Sequence, residues 1–259
     1  MVRAEAALQS GRPALAQESL KAVLDADPLQ AEAILLRGLL ALDAGDTRAA
    51  IRAQRQLQQL EASGPWLLPF RLRLTVAQGE QAQLQPLLGV TAPTRRPDHR
   101  AAWMAASLDV LRMVREPAIR LARVEEAQRH AASSPFPDLH IALAWHLLDD
   151  GNNAAAAARA RTAEDLAHHL SDPGRTLRAR LLHSAATGVS PGAWTYLLER
   201  ARQVGWRPLL ADALELSVHV ARRHQVHAEV QAAIRELSEL AVSGPDHGLA
   251  ARATRLARS

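Results

Sequence analysis

The sequence predicts an all-α protein, a right-handed α-solenoid of about seven helix-turn-helix hairpins followed by a C-terminal capping helix. A recurring glycine is the first reason, because Gly11, Gly45 and Gly79 lie 34 residues apart and Gly151 and Gly188 continue the pattern. A period of this length is typical of stacked helical hairpins. Composition is the second reason, because Ala and Leu dominate the apolar residues and the chain has only 2 Phe and 1 Tyr. Strands usually contain many more β-branched and aromatic residues.

The turn glycines, the capping residues and the prolines place each helix in order along the chain. A glycine allows the left-handed turn that ends a helix, and Asp46, Ser190 and Asp246 are suited to cap the helices that follow them. Prolines between hairpins stop one helix or start the next. The predicted helices are Ala4–Gln9, Ala14–Ala26, Ala31–Ala44, Thr47–Ala62, Trp66–Gln78, Gln81–Leu88, Arg100–Val114, Ala118–Ala132, Leu139–Asp149, Ala154–Leu170, Thr176–Thr187, Ala193–Val204, Leu209–Arg222, Ala228–Val242 and Gly248–Ala257.

The repeat predicts a single domain over residues 1–259, because each hairpin of such an array buries its apolar face against its neighbours. The clearest repeats lie in residues 1–64, degenerate repeats in 65–244 and the capping helix in 245–259. Residues 89–99 are expected to form a long loop, with an inter-domain hinge as the alternative. Segments far apart in the sequence are expected to make few contacts.

The last predicted helix carries an apolar stripe and a row of arginines. Leu249 and Leu256 can pack on the preceding hairpin, while Arg252, Arg255 and Arg258 recur at three-residue steps. Terminal units of a repeat array need a polar outer face, so we interpret this segment as a capping helix. A basic docking arm for nucleic acid or membrane is the alternative.

The first two units resemble the tetratricopeptide repeat. Gly38 stands where that family has a small residue on the first helix of the hairpin, Gly45 is the turn glycine, and Ala50 is the small residue early in the second helix. Gly11 and Ala16 match the same positions of the preceding unit. Small side chains let two helices approach to about 8–10 Å. The resemblance implies an array that binds other proteins, with the first helix of each hairpin on its concave face.

The resemblance, carried over by register, assigns a partner-binding groove to these first helices. It is expected to be apolar with arginines at intervals, which would suit a partner helix or an extended peptide. Two alternatives stay open: the array closes on itself, or Leu35, Leu39 and Trp145 pack into the hairpin core. The groove candidates are Glu32, Leu35, Leu39, Leu42, Trp66, Arg73, Val76, Ile141, Trp145, Leu148, Arg175, Arg178 and Leu182.

Composition argues against several other partners and locations. The chain has no cysteine, which excludes disulfides and thiolate zinc sites. Its 31 basic residues are interleaved with 27 acidic ones, so nucleic acid is not an expected partner. Lys21 is the only lysine, and the carboxylate-clamp binding of chaperone tails that some tetratricopeptide domains perform is not expected. No apolar run approaches the roughly 18 residues of a membrane span, and the N-terminus lacks a signal-peptide pattern, which favours a cytoplasmic protein.

No arrangement of residues predicts catalysis, a metal or a cofactor. His168 and His169 are adjacent, so they point about 100° apart on a helix, and a turn is expected between His224 and His227. Residues 188–192 lack the lysine and the spacing of a phosphate-binding loop. We therefore expect a non-catalytic protein–protein interaction scaffold. The alternative is a regulatory or sensor arm of a larger signalling or transcription protein that binds a small effector.

Overall fold

A computed structural model describes residues 13–90, 96–113, 117–244 and 246–258. Over these residues the chain forms α-helices, one 3₁₀ turn at Pro65–Leu67 and no strand, which confirms the predicted all-α class. The predicted helix at residues 4–9 lies outside them, and none of the described helices is long and apolar enough to cross a bilayer. The helices are α1 Pro13–Ala26, α2 Ala31–Ala44, α3 Thr47–Gln59, α4 Leu68–Gln78, α5 Gln81–Gly89, α6 Pro97–Leu111, α7 Pro117–Ala131, α8 Pro137–Asp149, α9 Asn153–His169, α10 Pro173–Thr187, α11 Pro191–Val204, α12 Arg207–Arg223, α13 His227–Ser243 and α14 His247–Arg258.

The predicted turn and cap residues end and begin helices as expected. Gly45 has a left-handed backbone with a φ of 79°, and its N–H donates to carbonyl groups at the end of α2. The Asp46 side chain then accepts from the Ala49 N–H at 2.8 Å and starts α3. Ser190 and Asp246 cap α11 and α14 in the same way. These bonds satisfy backbone groups that a helix end would otherwise leave unpaired.

Several helices begin a few residues earlier than predicted, because proline occupies their first position. α6 begins at Pro97 rather than Arg100, and α8 and α10 begin at Pro137 and Pro173. Proline has no N–H to lose there, and its fixed φ suits a helix start. The connection predicted at residues 89–99 is shortened accordingly, and its residues 91–95 lie outside the described part of the chain.

Small residues determine how closely the helices approach. Gly38 on α2 is buried, and a Cβ atom there would lie 2.8 Å from the Phe70 ring on α4 and 3.0 Å from Ala53 Cβ on α3. The position therefore accommodates only glycine without movement of its neighbours. The close approach of Phe70 and Ala53 therefore explains why a small residue is needed at this place in the hairpin.

Buried alanine residues allow a similarly close packing along helix α9. Ala156, Ala160, Ala163 and Ala167 form a buried stripe along it. The helix packs against α8 on one side and α10 on the other. A stripe of methyl groups lets α9 lie close to both neighbours.

The principal contacts follow the order of the sequence. Each even-numbered helix from α2 to α14 contacts the next even-numbered helix, and each odd-numbered helix packs beside at least one of its sequence neighbours. Clusters of buried apolar residues fill the spaces between successive helices, and one of these clusters extends from α8 to α12. The arrangement of these helices as a right-handed solenoid stays a prediction.

Helices far apart in the sequence also meet. α14 packs on α4, and α12 contacts α2. A Cβ atom built at Gly244 would lie 2.9 Å from Gly45 Cα, and one built at Gly248 would lie 2.6 Å from Val76 Cγ1. The expectation of few contacts between distant segments is therefore wrong at this place. These contacts bring early and late even-numbered helices together, as an array that closes on itself would require.

Replacing Gly38 tests the close approach of α2, α3 and α4. We expect Gly38→Val to lower the free energy of unfolding by at least about 2 kcal/mol, because the added atoms overlap the buried Phe70 ring. Gly192→Ala is the control, because nothing lies within 4 Å of a Cβ atom there, and it should leave stability unchanged or raise it slightly. Urea unfolding followed by circular dichroism measures both, and equal effects of the two substitutions would contradict this packing.

Candidate functional site

The even-numbered helices contribute charged side chains to one shared cluster, which we call the inner cluster. Each of the seven helices from α2 to α14 provides at least one member. The cluster links residues that are one or more repeats apart in the sequence. Its members are Asp43, Arg73, Asp109, Arg112, Asp138, Asp149, Arg175, Arg178, Asp212, Glu215, His219, Arg252 and Arg255.

Glu215 on α12 is the most buried member of the inner cluster and has no exposed surface. Its Oε1 accepts from Nη2 of Arg112, the residue directly after α6, at 2.8 Å, and its Oε2 accepts from Arg252 Nε on α14 at 2.7 Å. Arg255 makes a third contact with the same carboxylate. Burial alone would raise the pKa of Glu215, but the three guanidinium groups outweigh it and lower the pKa to about 2. Glu215 is therefore ionised at neutral pH.

Arg112 extends the cluster from Glu215 to α8. Its Nε donates to Asp149 Oδ2 at 2.8 Å, and its guanidinium lies 3.8 Å from the centre of the Trp145 ring. Burial tends to raise the pKa of Asp149, but Arg112 outweighs burial and lowers it. The side chain of Arg112 is only 6% exposed. The two carboxylates and the Trp145 ring therefore compensate its buried positive charge.

The remaining pairs repeat one pattern, in which an arginine binds a carboxylate one repeat away. Arg175 on α10 binds Asp138 on α8 with two parallel bonds of 2.8 and 2.7 Å, across 37 positions. Arg178 binds Asp212, 34 positions away. Sequence reasoning missed these pairs. Opposite charges separated by about one repeat on successive first helices would have been the signal for them.

Asp109 on α6 forms no hydrogen bond or ion pair with any described residue, unlike the other carboxylates of the inner cluster. Burial raises its pKa, and the nearest opposing charges are Arg178, Arg112 and Arg252. The side chain is half-buried rather than sealed. Asp109 is therefore the carboxylate of the inner cluster that has no direct partner among the described residues.

Several other members of the cluster also keep accessible surface. The side chains of Arg73 and Asp138 are each 38% exposed, and that of Arg255 is 35% exposed. Burial by the surrounding helices raises the pKa of Asp138, but Arg175 outweighs burial and lowers it. These side chains therefore lie among helices and still keep surface exposed to solvent.

Three side chains of the inner cluster have metal-ligand chemistry. Donor atoms of Asp149, Glu215 and His219 all lie within 4.8 Å of one another. Carboxylate and imidazole groups are common metal ligands, but both carboxylates already bind arginine. A cation there would have to displace guanidinium groups and would lie close to their charge, so these residues fit a metal poorly. Glu215 and His219 lie one turn apart on α12, but no local pattern in the sequence joins them to Asp149 on α8.

The predicted groove residues divide into two groups. Arg73, Arg175 and Arg178 belong to the inner cluster, and Glu32 is exposed at the start of α2. The other nine are apolar and lie in the core or against it. Leu42, Ile141, Trp145, Leu148 and Leu182 are buried, and Leu35, Leu39, Trp66 and Val76 are partly buried against buried clusters. The inner surface is therefore charged rather than apolar, because the apolar side chains turn between the helices.

The predicted capping helix has the packing that its sequence suggested. Leu249, Ala253 and Leu256 are buried against α12 and α13. Arg252 and Arg255 bind Glu215 and so point into the inner cluster. These two arginines bind a carboxylate inside the protein, so they are not available to a basic docking arm.

No model of a known protein family, no curated protein and no solved structure matches this chain. The resemblance to the tetratricopeptide repeat stays a prediction from the residues that carry it. The functional proposal therefore depends on the inner cluster itself.

Removing the charge of Glu215 tests the importance of the inner cluster for stability. We expect Glu215→Gln to lower the free energy of unfolding by about 3–5 kcal/mol, because it leaves buried guanidinium groups without their carboxylate. Glu236→Gln is the matched control, since Glu236 pairs with Arg202 at the surface and should cost less than about 1 kcal/mol. Guanidinium chloride unfolding measures both. Similar losses would show that the inner pairs contribute no more than surface pairs.

His146 on α8 provides a test by pH. Its Nε2 donates to the Leu108 carbonyl at 2.9 Å and its Nδ1 accepts from Arg120 Nε at 2.9 Å, which requires the neutral ring. Burial lowers its pKa from 6.5 to about 4. The stability that neutral His146 contributes is complete above pH 6.5 and is lost as the pH falls towards 4, because the unfolded chain takes up the proton first.

We expect His146 to reduce the free energy of unfolding by about 3 kcal/mol between pH 7 and pH 4. Urea unfolding at several pH values should show a smaller dependence on pH for His146→Gln than for the unchanged protein. The same dependence in both proteins would mean that His146 does not stay neutral in the fold.

Proposed function

We propose that this chain is a non-catalytic protein–protein interaction module, an α-solenoid of helical hairpins whose even-numbered helices bind a helix or an extended peptide of a partner. The inner cluster is the observation that carries the proposal. Seven helices direct charged side chains to one shared surface, and part of that surface is accessible to solvent.

The order of the helix contacts supports the solenoid. In a stack of hairpins, the first helices form one layer and each second helix lies beside its own neighbours. Contacts from α2 to α4, from α4 to α6 and onwards to α14 follow that pattern. A right-handed superhelix of such hairpins would place the even-numbered helices on its concave side.

The chemistry of the inner surface favours a charged partner over an apolar one. Arg73 and Asp138 offer accessible charges of opposite sign, and Asp109 has no direct counter-charge within the described chain. A lysine or arginine of a partner would supply that counter-charge. Pairing between charged groups gives orientation and specificity to a complex more than raw affinity.

A regulatory or sensor arm that binds a small polar effector is the second candidate. A depression of about 610 Å³ favours it, lined by Arg100, Ala122, Glu126, Arg129 and His130 on α6 and α7. Its volume is in the range of small-molecule sites. The depression is open to solvent and its lining is mostly charged, so the inner cluster is the stronger basis for a function.

The test of the proposed function uses Asp109→Asn. Because Asp109 has no direct partner in the described structure, the substitution should leave the fold intact. We expect the full chain, immobilised and exposed to a lysate of its source organism, to retain a binding protein that Asp109→Asn retains at least about tenfold less, a loss within reach of one charged contact. Mass spectrometry quantifies the bound proteins, and circular dichroism checks helicity.

Asp165→Asn on α9 is the control, because Asp165 is exposed and pairs only with Arg161 on the same helix. It should bind the partner as the unchanged chain does. Equal capture by Asp109→Asn, with helicity retained, would exclude the inner surface as the binding site.

A further inference from the structure

A seam joins α2, α4 and α6 to α12 and α14, which follow much later in the sequence. Trp206 Nε1 donates to Asp43 Oδ2 at 3.2 Å across 163 positions. Arg255 Nη1 donates to the Arg112 carbonyl at 2.7 Å across 143 positions. The side chain of Arg112 in turn donates to Glu215 across the same seam. These bonds hold the early helices against the late ones.

The seam is polar, whereas the contacts between successive helices are apolar. None of the clusters of buried apolar residues within the described chain includes residues on both sides of the seam. The helices approach closely at Gly248, where an added Cβ atom would lie 2.6 Å from Val76 Cγ1 and 3.4 Å from Met113 Sδ. Burial of apolar surface stabilises by about 25 cal/mol per Å², while buried ion pairs roughly balance their own desolvation. Polar bonds therefore hold the seam closed, without an apolar cluster that spans it.

The closed seam also restricts the inner surface. Across it, Arg112 lies within 2.8 Å of Glu215 and within 2.7 Å of Arg255. An α-helix with its side chains is about 10–12 Å wide. A partner helix cannot lie between groups that already touch, so it needs the early and late helices to separate.

We propose that the seam is an autoinhibitory contact, which keeps the inner surface closed and opens as a hinge to admit a partner segment. Successive helices stay stacked on opening, because their apolar clusters are not divided by it. The binding of a partner segment rests on the proposed function, whereas the opening of the seam does not. A closed majority state lowers the apparent affinity of a partner by the fraction of open molecules.

The first experiment weakens the seam without any partner. Arg255→Met removes the bond to the Arg112 carbonyl and keeps an apolar side chain of similar length. Arg202→Met is the matched control, because Arg202 binds Glu199 and Glu236 on the outside. Small-angle X-ray scattering of the full chain in 50 mM and 1 M NaCl measures the radius of gyration.

We expect the control to keep the radius of a compact chain of this length, about 18 Å, and Arg255→Met to exceed it by at least about 10% in 1 M NaCl. Unfolding is excluded by unchanged helicity in circular dichroism. Equal radii for the two variants at both salt concentrations would overturn the proposal.

The second experiment locks the seam, and the absence of native cysteine makes it specific. The Cβ atom that Gly248 lacks would lie 2.6 Å from Val76 Cγ1, close to the separation of about 3 Å between one Cβ and the opposite sulfur in a disulfide. Val76→Cys with Gly248→Cys, added to Arg255→Met, should oxidise readily. The oxidised chain should stay compact in 1 M NaCl, and reduction should restore the expansion. Failure to oxidise, or equal radii before and after reduction, would overturn the seam as described.

The same locked chain separates this inference from the proposed function. In the lysate capture, the oxidised form should retain at least about tenfold less partner than the reduced form. If scattering shows opening and locking but both forms capture the partner equally, the autoinhibitory role fails and the partner binds elsewhere. If neither form captures a protein, the proposed function fails while the hinge stands on its scattering data.

Discussion

The ionised carboxylate of Glu215 is the interaction on which the rest of the structure depends. It has no exposed surface, and it binds arginines from α6 and α14 while its own helix packs on α10, α13 and α14. A buried charge of this kind is tolerated only when its partners are complete. The helices that supply those partners must therefore converge on α12, and the inner cluster follows from that requirement.

Two kinds of interaction, apolar packing and charged pairs, hold the described helices together. Apolar clusters and small residues such as Gly38 and the alanines of α9 hold each helix to the next. Charged pairs hold helices that are one repeat apart, and they also join the early helices to the late ones. Apolar contact is strong but indifferent to orientation, whereas a bidentate pair such as Arg175 with Asp138 fixes the angle and the register. Together they give the described helices both close packing and defined relative orientations.

The sequence predicted the helices well because local signals determine them. The turn glycines, the caps at Asp46 and Ser190 and the prolines act within a few residues, and the helix bounds differ from the prediction mainly where proline starts a helix. The surface was harder to predict. The predicted register placed Trp145 on the groove surface of its helix, but Trp145 lies in a buried apolar cluster between helices. The periodicity of one helix does not show which neighbouring helix its apolar side chains will contact. The pairing of Arg112 with Glu215 joins positions 103 apart, and no local pattern encodes it.

The contact of α14 with α4 joins two helices that lie far apart in the sequence. Arrays of this kind commonly grow or shrink by whole hairpins during evolution, because each unit needs only its neighbours. Here a duplicated or deleted hairpin would rotate the last helix away from Val76 and Arg112, and every bond across that junction would lose its partner. The number of helices between α4 and α14 is therefore constrained, and insertions are tolerable in the connecting loops before they are tolerable as additional helices.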